Sequence, residues 1–230
     1  MKIILSDAKT MREAPAACRL PAYHAKSEKL LEHLLSLDRE QLKRMWKCSD
    51  ALCDENIERL KKMDLQKDLT PAVLAYQGQV FRHLDVSTLD RNAMAYLNEH
   101  LVILSGFYGC LRADEGVRAV RLEMGSTVPE LGRLYAYWEK EVNEALRDEV
   151  IINLASKEFS AIVHHEMLSI RFVKSTNGKE TSPSTYAKTK RGEMLRWLAV
   201  NQVEDIQEIC GFDAAHCIRE GQGFCFKEER

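Results

Sequence analysis

The sequence has no long apolar segment. None of its hydrophobic runs approaches the roughly 20 residues that a membrane-spanning helix needs, and the apolar stretch after Lys2 is too short for the core of a secretion signal. Repeats, low-complexity tracts and linker-like stretches are also missing from its 230 residues. We therefore expect a single domain over residues 1–230 and a cytoplasmic location.

Cysteines are present but lack the spacing of a disulfide framework or a zinc site. The seven cysteines are an odd number, and Cys48 and Cys53 are too far apart for a CxxC pair. His164, His165 and Glu166 are adjacent, so their side chains point apart and rarely share a metal. This pattern predicts free thiols in a reducing compartment, with no metal site and no cofactor.

Familiar catalytic motifs are absent as well. The chain has no GxSxG nucleophile elbow, no GxxxxGKS/T phosphate loop and no GxGxxG dinucleotide fingerprint. It also lacks an overall excess of positive charge, since its formal net charge is -2. Binding of a nucleic acid would therefore require a local basic patch.

Three short apolar runs predict the strands of a central sheet. They are Lys2–Leu5, Leu101–Leu104 and Val150–Leu154, and each leads into a loop that contains serine. Runs without polar alternation are typical of strands buried on both faces. We predict an α/β fold, with α+β possible, in which helices flank a mixed sheet. Ligands of such sheets bind beyond the carboxyl ends of the strands, so we expect the site at these loops, with Ser156 only as a helix cap.

Turn and cap signals locate several boundaries along the chain. Asp38 followed by Gln41 resembles a capping box, and Thr70–Pro71 predicts a helix start with a stop at Gly78. Asn177–Gly178 is a strong signal for a β-hairpin. These signals place helices between the predicted strands and a hairpin after them.

Two of the loops carry groups suited to phosphate. Lys9 lies just past the first run, and it is either a cation directed at a phosphate or a solvated surface lysine. Gly106 and Gly109 flank two aromatic residues after the second run, and glycines let backbone amides approach phosphate oxygens. This turn resembles the glycine-bearing turn between the helices of helix-hairpin-helix DNA binders. The alternative is a plain strand-to-helix turn with aromatic residues in the core.

Residues 168–192 form the most basic segment. They contain six basic side chains and one acidic side chain, Glu180, which gives a local charge of +5. Such a patch can attract a polyanion, but a charged run is also the ordinary solvated face of a helix. Lys188 and Arg191 share a face if this segment is helical, because they are three residues apart.

Several stretches of the chain resemble the YaaA peroxide-stress protein family. They are ILSDAKT (4–10), SDALCDEN (49–56), LSGFYGCLRADEGVRAVRLEMG (104–125), VIINLASKEF (150–159) and YAKTKRG (186–192). The resemblance implies a single α/β domain whose positively charged cleft binds DNA through a helix-hairpin-helix-like element. It also implies protection from hydrogen peroxide by limiting free intracellular iron.

The candidate residues for binding DNA or phosphate either match the family motifs by position or lie within them. These are Lys9, Gly106, Tyr108, Gly109, Arg112, Arg121, Lys188, Lys190 and Arg191. Two residues depart from the family pattern: Asp7 and Ala113 stand where proline is usual. The negative charge of Asp7 beside Lys9 is expected to weaken a phosphate contact there.

Two functions are compatible with these residues. The first is a DNA-binding stress protein that contacts phosphates without sequence preference. The alternative is an enzyme acting on a nucleotide or a modified nucleobase, with Asp50 or Glu123 as the acid or base. Direct iron sequestration is disfavoured, since the chain lacks a well-spaced set of metal ligands.

Overall fold

The computed structural model describes residues 1–229. The strands in chain order are β1 (Lys2–Ser6), β2 (Thr70–Pro71), β3 (Leu101–Ser105), β4 (Gly109–Arg112), β5 (Gly116–Val117), β6 (Thr127–Val128), β7 (Gly132–Arg133), β8 (Ile151–Asn153), β9 (Met167–Thr176), β10 (Lys179–Thr181), β11 (Cys217–Glu220) and β12 (Gly223–Glu229). The helices are α1 (His24–Ser36), α2 (Arg39–Trp46), α3 (Asp50–Lys61), α4 (Ala72–Ala75), α5 (Gln79–Leu84), α6 (Arg91–His100), α7 (Leu134–Ala145), α8 (Lys157–Ser160) and α9 (Ser184–Asn201), with 3-10 turns at Val86–Thr88 and Ile206–Phe212.

One mixed sheet of eight strands runs through the molecule. Seven of the strands follow the order β11-β12-β9-β8-β1-β3-β4, and β10 pairs with β9. Strand β1 lies between β3 and β8 and is parallel to both. Its residues Ile3, Ile4 and Leu5 are at most 1% exposed, as expected for a strand covered on both faces. The predicted α/β architecture with a mixed sheet is confirmed.

Local signals in the sequence located two features correctly. The Asp38 side chain accepts a hydrogen bond from the Gln41 backbone, and the Gln41 side chain accepts one from the Asp38 backbone, at 2.8 and 2.9 Å. Asn177 and Gly178 both have positive φ, at 51° and 77°, which suits the two-residue turn that joins β9 to β10. Both predictions depended only on neighbouring residues.

The predicted helix from Thr70 to Gly78 was wrong at both ends. Thr70–Pro71 pairs with β5, so α4 starts at Ala72 and has only four residues. Gly78 precedes α5 instead of ending a helix. The reason is tertiary: a Cβ at Gly78 would lie 3.0 Å from the Cβ of Ala8 in the loop after β1. The glycine permits this close approach.

The prediction of free thiols was wrong for two cysteines. Cys210 and Cys217 form a disulfide, because the chain folds back after the 3-10 turn and brings their Cα atoms to 5.4 Å. The other five cysteines are free thiols. In residues 1–229, no helix combines the length and the apolar character needed to cross a membrane.

Candidate functional site

A cleft of about 490 Å³ opens at the carboxyl ends of β1 and β8. The loops after these two strands line it, as the general rule for open α/β sheets predicts. The first turns of α5 and α9 and the side chain of Glu123 complete the wall. Ser156, predicted as only a helix cap, also lines the cleft, and its backbone N–H donates to Ser6 Oγ at 2.9 Å.

Lys188 and Arg191 project from α9 into this cleft without acidic partners. Lys188 is exposed, Arg191 is half-buried, and both line the cavity. Within residues 1–229, neither side chain makes a hydrogen bond or an ion pair, and the Arg191 Nε is fully covered. Burial lowers the pKa of Arg191, although a guanidinium stays charged at neutral pH. A desolvated cation without an anion is unfavourable, so this arrangement suits an anionic ligand.

Close packing of α9 on α5 positions Arg191. A Cβ on Gly192 would collide with the carbonyl oxygen of Val80 and lie 2.8 Å from the Cβ of His83. The absence of a side chain at Gly192 therefore lets the two helices approach at this point. One turn later, Arg196 Nη1 donates to the carbonyl of Leu84 at 3.0 Å. These contacts hold the Arg191 side chain beside the start of α5.

Lys9 faces the cleft but is already paired. Its Nζ lies 2.7 Å from Glu123 Oε1, and Arg121 Nη2 lies 3.8 Å from the same oxygen. Glu158, which also lines the cleft, accepts a hydrogen bond from the backbone N–H of Gly125 at 3.1 Å. The cleft therefore combines Lys9, two unpaired cations and several carboxylates, and a phosphate at Lys9 would compete with Glu123.

Asp7 lies half-buried in the wall of the cleft. Its backbone N–H donates to the Leu104 carbonyl at 3.0 Å, and its carboxyl group accepts hydrogen bonds from Ser105 and from the backbone N–H of Gly106. Burial raises the pKa of Asp7 to about 7, and the nearby carboxylates of Glu158 and Glu123 act in the same direction. The Asp7 carboxyl is therefore only partly ionised at neutral pH. The negative charge beside Lys9 is smaller than the sequence predicts. No local motif indicates this, because the burial comes from distant segments.

The glycines and tyrosine of the 104–112 motif shape the site but do not line it. Tyr108 is 1% exposed, and its hydroxyl accepts from the Arg118 backbone N–H at 2.8 Å. Gly109 has a φ of 75°, and a Cβ there would lie 2.5 Å from the Trp138 ring. A Cβ on Gly106 would meet the backbone of the segment that carries Glu123. Close packing at Gly106 therefore sets where Glu123 enters the cleft.

The turn at residues 106–108 joins two strands and not two helices. Ser105 pairs with Gly109 across the antiparallel strands β3 and β4. The aromatic residues of the turn are buried, as the alternative predicts, but the turn leads into strand β4 and not into a helix. Helices α2 and α3, which follow one another along the chain, are joined by a short turn in which Lys47 has a φ of 47°.

Three other candidates lie outside the cleft. Arg112 pairs with Val102 at the opposite end of β3 and donates to the carbonyl of Asn98 at 2.8 Å. Lys190 Nζ bonds Glu193 at 2.9 Å. Asp50 is exposed on α3, where hydrogen bonds from Lys43 and Arg39 hold its pKa below the usual range. Asp50 therefore lies apart from the cations of the cleft and is not placed to act as an acid or base beside them.

Acidic side chains from distant segments offset part of the +5 segment. Arg171 bonds Glu220 at 2.5 Å, and Lys174 lies 3.8 Å from Glu228 and over the ring of Tyr186. Both of these glutamates lie beyond residue 192, outside the segment counted in the sequence. The charges of Lys188 and Arg191, in contrast, are not offset by an acidic partner in residues 1–229.

A second cavity of about 590 Å³ adjoins the cleft. The two share Glu123 and Glu158 as lining residues, and the far wall of the second cavity includes Arg44 and Lys47 of the α2 end. Together they form a groove from α9 to α2. Cations stand at both ends of this groove and carboxylates near its middle.

Comparison with known proteins agrees with the motifs. A family model described as peroxide stress protein YaaA matches residues 1–228. The chain belongs to this family. It is 40% identical to a UPF0246 protein of Agathobacter rectalis, with 93% of this chain and 91% of the relative covered. UPF0246 proteins of Lachnoclostridium phytofermentans and Lactiplantibacillus plantarum are each 38% identical, with 93% of this chain and 89% and 91% of the relatives covered. Membership in the YaaA family supports a role in peroxide stress.

Proposed function

We propose that this chain is a cytoplasmic DNA-binding protein of the peroxide stress response, with Lys188 and Arg191 as its central phosphate contacts. The observation that carries the proposal is the pair of unpaired cations in one cleft, one of them partly desolvated. Phosphate oxygens would supply the missing anion. Contacts of this kind give affinity without reading the base sequence.

The shape of the groove favours an extended nucleic acid. Two adjoining cavities of about 490 and 590 Å³ have cations at their outer ends, Lys188 and Arg191 at one and Arg44 and Lys47 at the other. A phosphate backbone would contact these ends. Glu123 and Glu158 near the middle would repel phosphate, but carboxylates accept hydrogen bonds from the amino groups of bases. We therefore expect a strand with unpaired bases to bind better than an intact duplex.

Salt-dependent binding tests this function. Fluorescence anisotropy with duplex, single-stranded and gapped DNA should show affinity that falls with salt concentration. Changing Lys188 and Arg191 together to alanine should reduce the slope of log affinity against log salt by about one or two phosphate equivalents. Lys140→Ala with Arg147→Ala is the matched control, because it removes one lysine and one arginine at exposed positions outside both the groove and the basic segment 168–192.

Two outcomes would reject the proposal. The first is an absence of salt-sensitive binding to any of the three DNA forms. The second is an equal loss in the control variant, which would indicate a general charge effect instead of a site. The effect on free iron would then have no connection with this cleft. Under our proposal any effect on free iron is indirect and requires no iron site in this chain.

A second candidate function is an enzyme that acts on a nucleotide or a modified nucleobase. The favouring observation is Asp7, whose pKa of about 7 suits proton transfer at neutral pH and which shares the cleft with Lys188 and Arg191. The wild-type protein would be incubated with modified nucleosides and nucleotides, and products detected by mass spectrometry. Asp7→Asn should abolish turnover and leave phosphate-dependent binding intact. If no substrate in the panel is converted, DNA binding remains the only function of the cleft that we propose.

A further inference from the structure

Two cysteines outside the cleft lie close enough to bond. Cys210 belongs to the 3-10 turn Ile206–Phe212, and Cys217 is the first residue of β11. Their Cα atoms are 5.4 Å apart, and both residues are partly accessible to solvent. The chain between them is a short turn. A solvent-borne oxidant or reductant can therefore reach the pair.

We propose that Cys210 and Cys217 form a reversible thiol–disulfide couple that is oxidised by a hydroperoxide. This inference goes beyond DNA binding and does not depend on it. A disulfide in a reducing compartment is usually transient, catalytic or redox-sensing, so this inference rests on the cytoplasmic location proposed above. The YaaA family description names peroxide as the stress, which identifies the class of oxidant.

Aromatic packing and strand pairing hold the two segments together independently of the disulfide, because Phe212 of the 3-10 turn packs on Phe226 of β12 and Cys217 of β11 pairs with the same Phe226. The ring of Phe212 contacts those of Phe172, Trp197 and Phe226, with centroids 5.5 to 6.2 Å apart. The position of Gly211 is also close to Trp197, since a Cβ there would lie 3.1 Å from its ring. These contacts do not involve sulfur, so we expect them to persist when the bond is reduced. The thiols would then stay adjacent, and reoxidation would need little movement of the backbone.

The buried thiols are poorer candidates. Cys53, Cys110 and Cys225 are buried, and burial raises the pKa of each of them, that of Cys110 to about 12. The thiolate is the form that reacts with peroxide, so a raised pKa reduces reactivity. Cys48 lies beside Cys53 and is the competing partner that an experiment must distinguish.

The chemistry balances with the hydroperoxide as the sole oxidant. The thiolate of one cysteine attacks the O–O bond, gains one oxygen as a sulfenic acid and, with H₂O₂, releases water after protonation. The second thiol then attacks the sulfenic sulfur, forms the S–S bond and releases a second water. Two electrons pass from the two thiols to the peroxide. A dithiol restores both thiols by exchange and becomes a disulfide itself.

Thiol counting on the full chain tests the proposal. The protein would be reduced with dithiothreitol, desalted without oxygen and treated with H₂O₂. Seven free thiols should fall to five, and peptide mapping should find the link between Cys210 and Cys217. Dithiothreitol without denaturant should then restore all seven, and the fluorescence of the nearby Trp197 should follow both steps.

Matched variants show whether the response belongs to this pair. Cys210→Ser and Cys217→Ser should each abolish the linked peptide, whereas Cys225→Ser on the neighbouring strand should keep it. Peptide mapping of the wild-type chain decides the question even if a serine variant folds poorly. A link between Cys48 and Cys53 instead, separate sulfinic acids at Cys210 and Cys217, or a bond that native dithiothreitol cannot reduce would overturn the proposal.

Discussion

The 104–112 and 186–192 motifs contain similar glycine, tyrosine and basic residues but occupy different environments. In the first motif Tyr108 is buried and Gly109 packs on Trp138. In the second, Lys188 and Arg191 face a cleft with no acidic partner in residues 1–229. Matching residues to a family motif therefore does not separate residues that build a site from residues that contact a ligand. Burial and pairing make that separation.

The largest expected effect is on stability in the 104–112 motif. Gly109→Ala should lower the free energy of unfolding by about 2–4 kcal/mol, because φ is positive and the new Cβ would meet the Trp138 ring. Urea unfolding measures the change. The folded fraction should bind DNA as the wild type does. A variant of normal stability would show that this motif is not constrained by packing.

Next in size is a pH-dependent change at Asp7. Its pKa rises from the ordinary aspartate value of 3.8 to about 7 in the fold, so the proton is held more tightly in the folded state. Asp7 therefore costs stability as pH rises from about 4 to 7, and this cost persists above pH 7. Asp7→Asn should be more stable than wild type by on the order of 2–4 kcal/mol at pH 8 and nearly equal to it at pH 4.

Chemical denaturation at several pH values measures the Asp7 effect. Asp148→Asn, at an exposed turn, is the control. Asp205→Asn would not serve as one, because the Asp205 side chain caps a 3-10 turn. A stability difference that does not vary between pH 4 and 8 would contradict a raised pKa at Asp7.

Arg191 should show two smaller effects of opposite sign, one on stability and one on DNA affinity. Arg191→Met keeps much of the side-chain length but removes a half-buried charge that has no partner in the described chain. Stability should therefore stay equal or rise by up to about 1 kcal/mol, while DNA affinity falls by about 1–2 kcal/mol, since a charge-assisted phosphate contact is lost. Thermal unfolding and anisotropy measure the two changes. A loss of stability without a loss of affinity would make Arg191 a structural residue.

The smallest effects compare neighbours within the 186–192 motif. Lys188→Ala should lower the salt slope of DNA binding by about one, because each phosphate contact releases about one counterion. Lys190→Ala, on the same helix but bonded to Glu193, should leave the slope unchanged, as should Arg112→Ala at the far edge of the sheet. Equal slopes for all three variants would indicate that the cleft does not single out Lys188.

Much of the fold could be predicted from the residues themselves. The three buried strands follow from continuous apolar runs, and the capping box at Asp38 follows from side-chain chemistry within one turn. The helix boundary at Gly78 could not be predicted, because it depends on contact with Ala8 across the fold. The disulfide between Cys210 and Cys217 also escaped prediction, since it depends on how the chain returns after the 3-10 turn.

For the candidate site, three features follow from the sequence: which cations exist, the helical spacing of Lys188 and Arg191, and the loops where a ligand is expected. These are properties of local pattern and of strand direction. Two further features followed only from the fold: Glu123 pairs with Lys9, and Arg191 is left without a carboxylate. The physical reason is that burial and ion pairing depend on distances between segments remote in sequence, and these distances exist only after the chain folds.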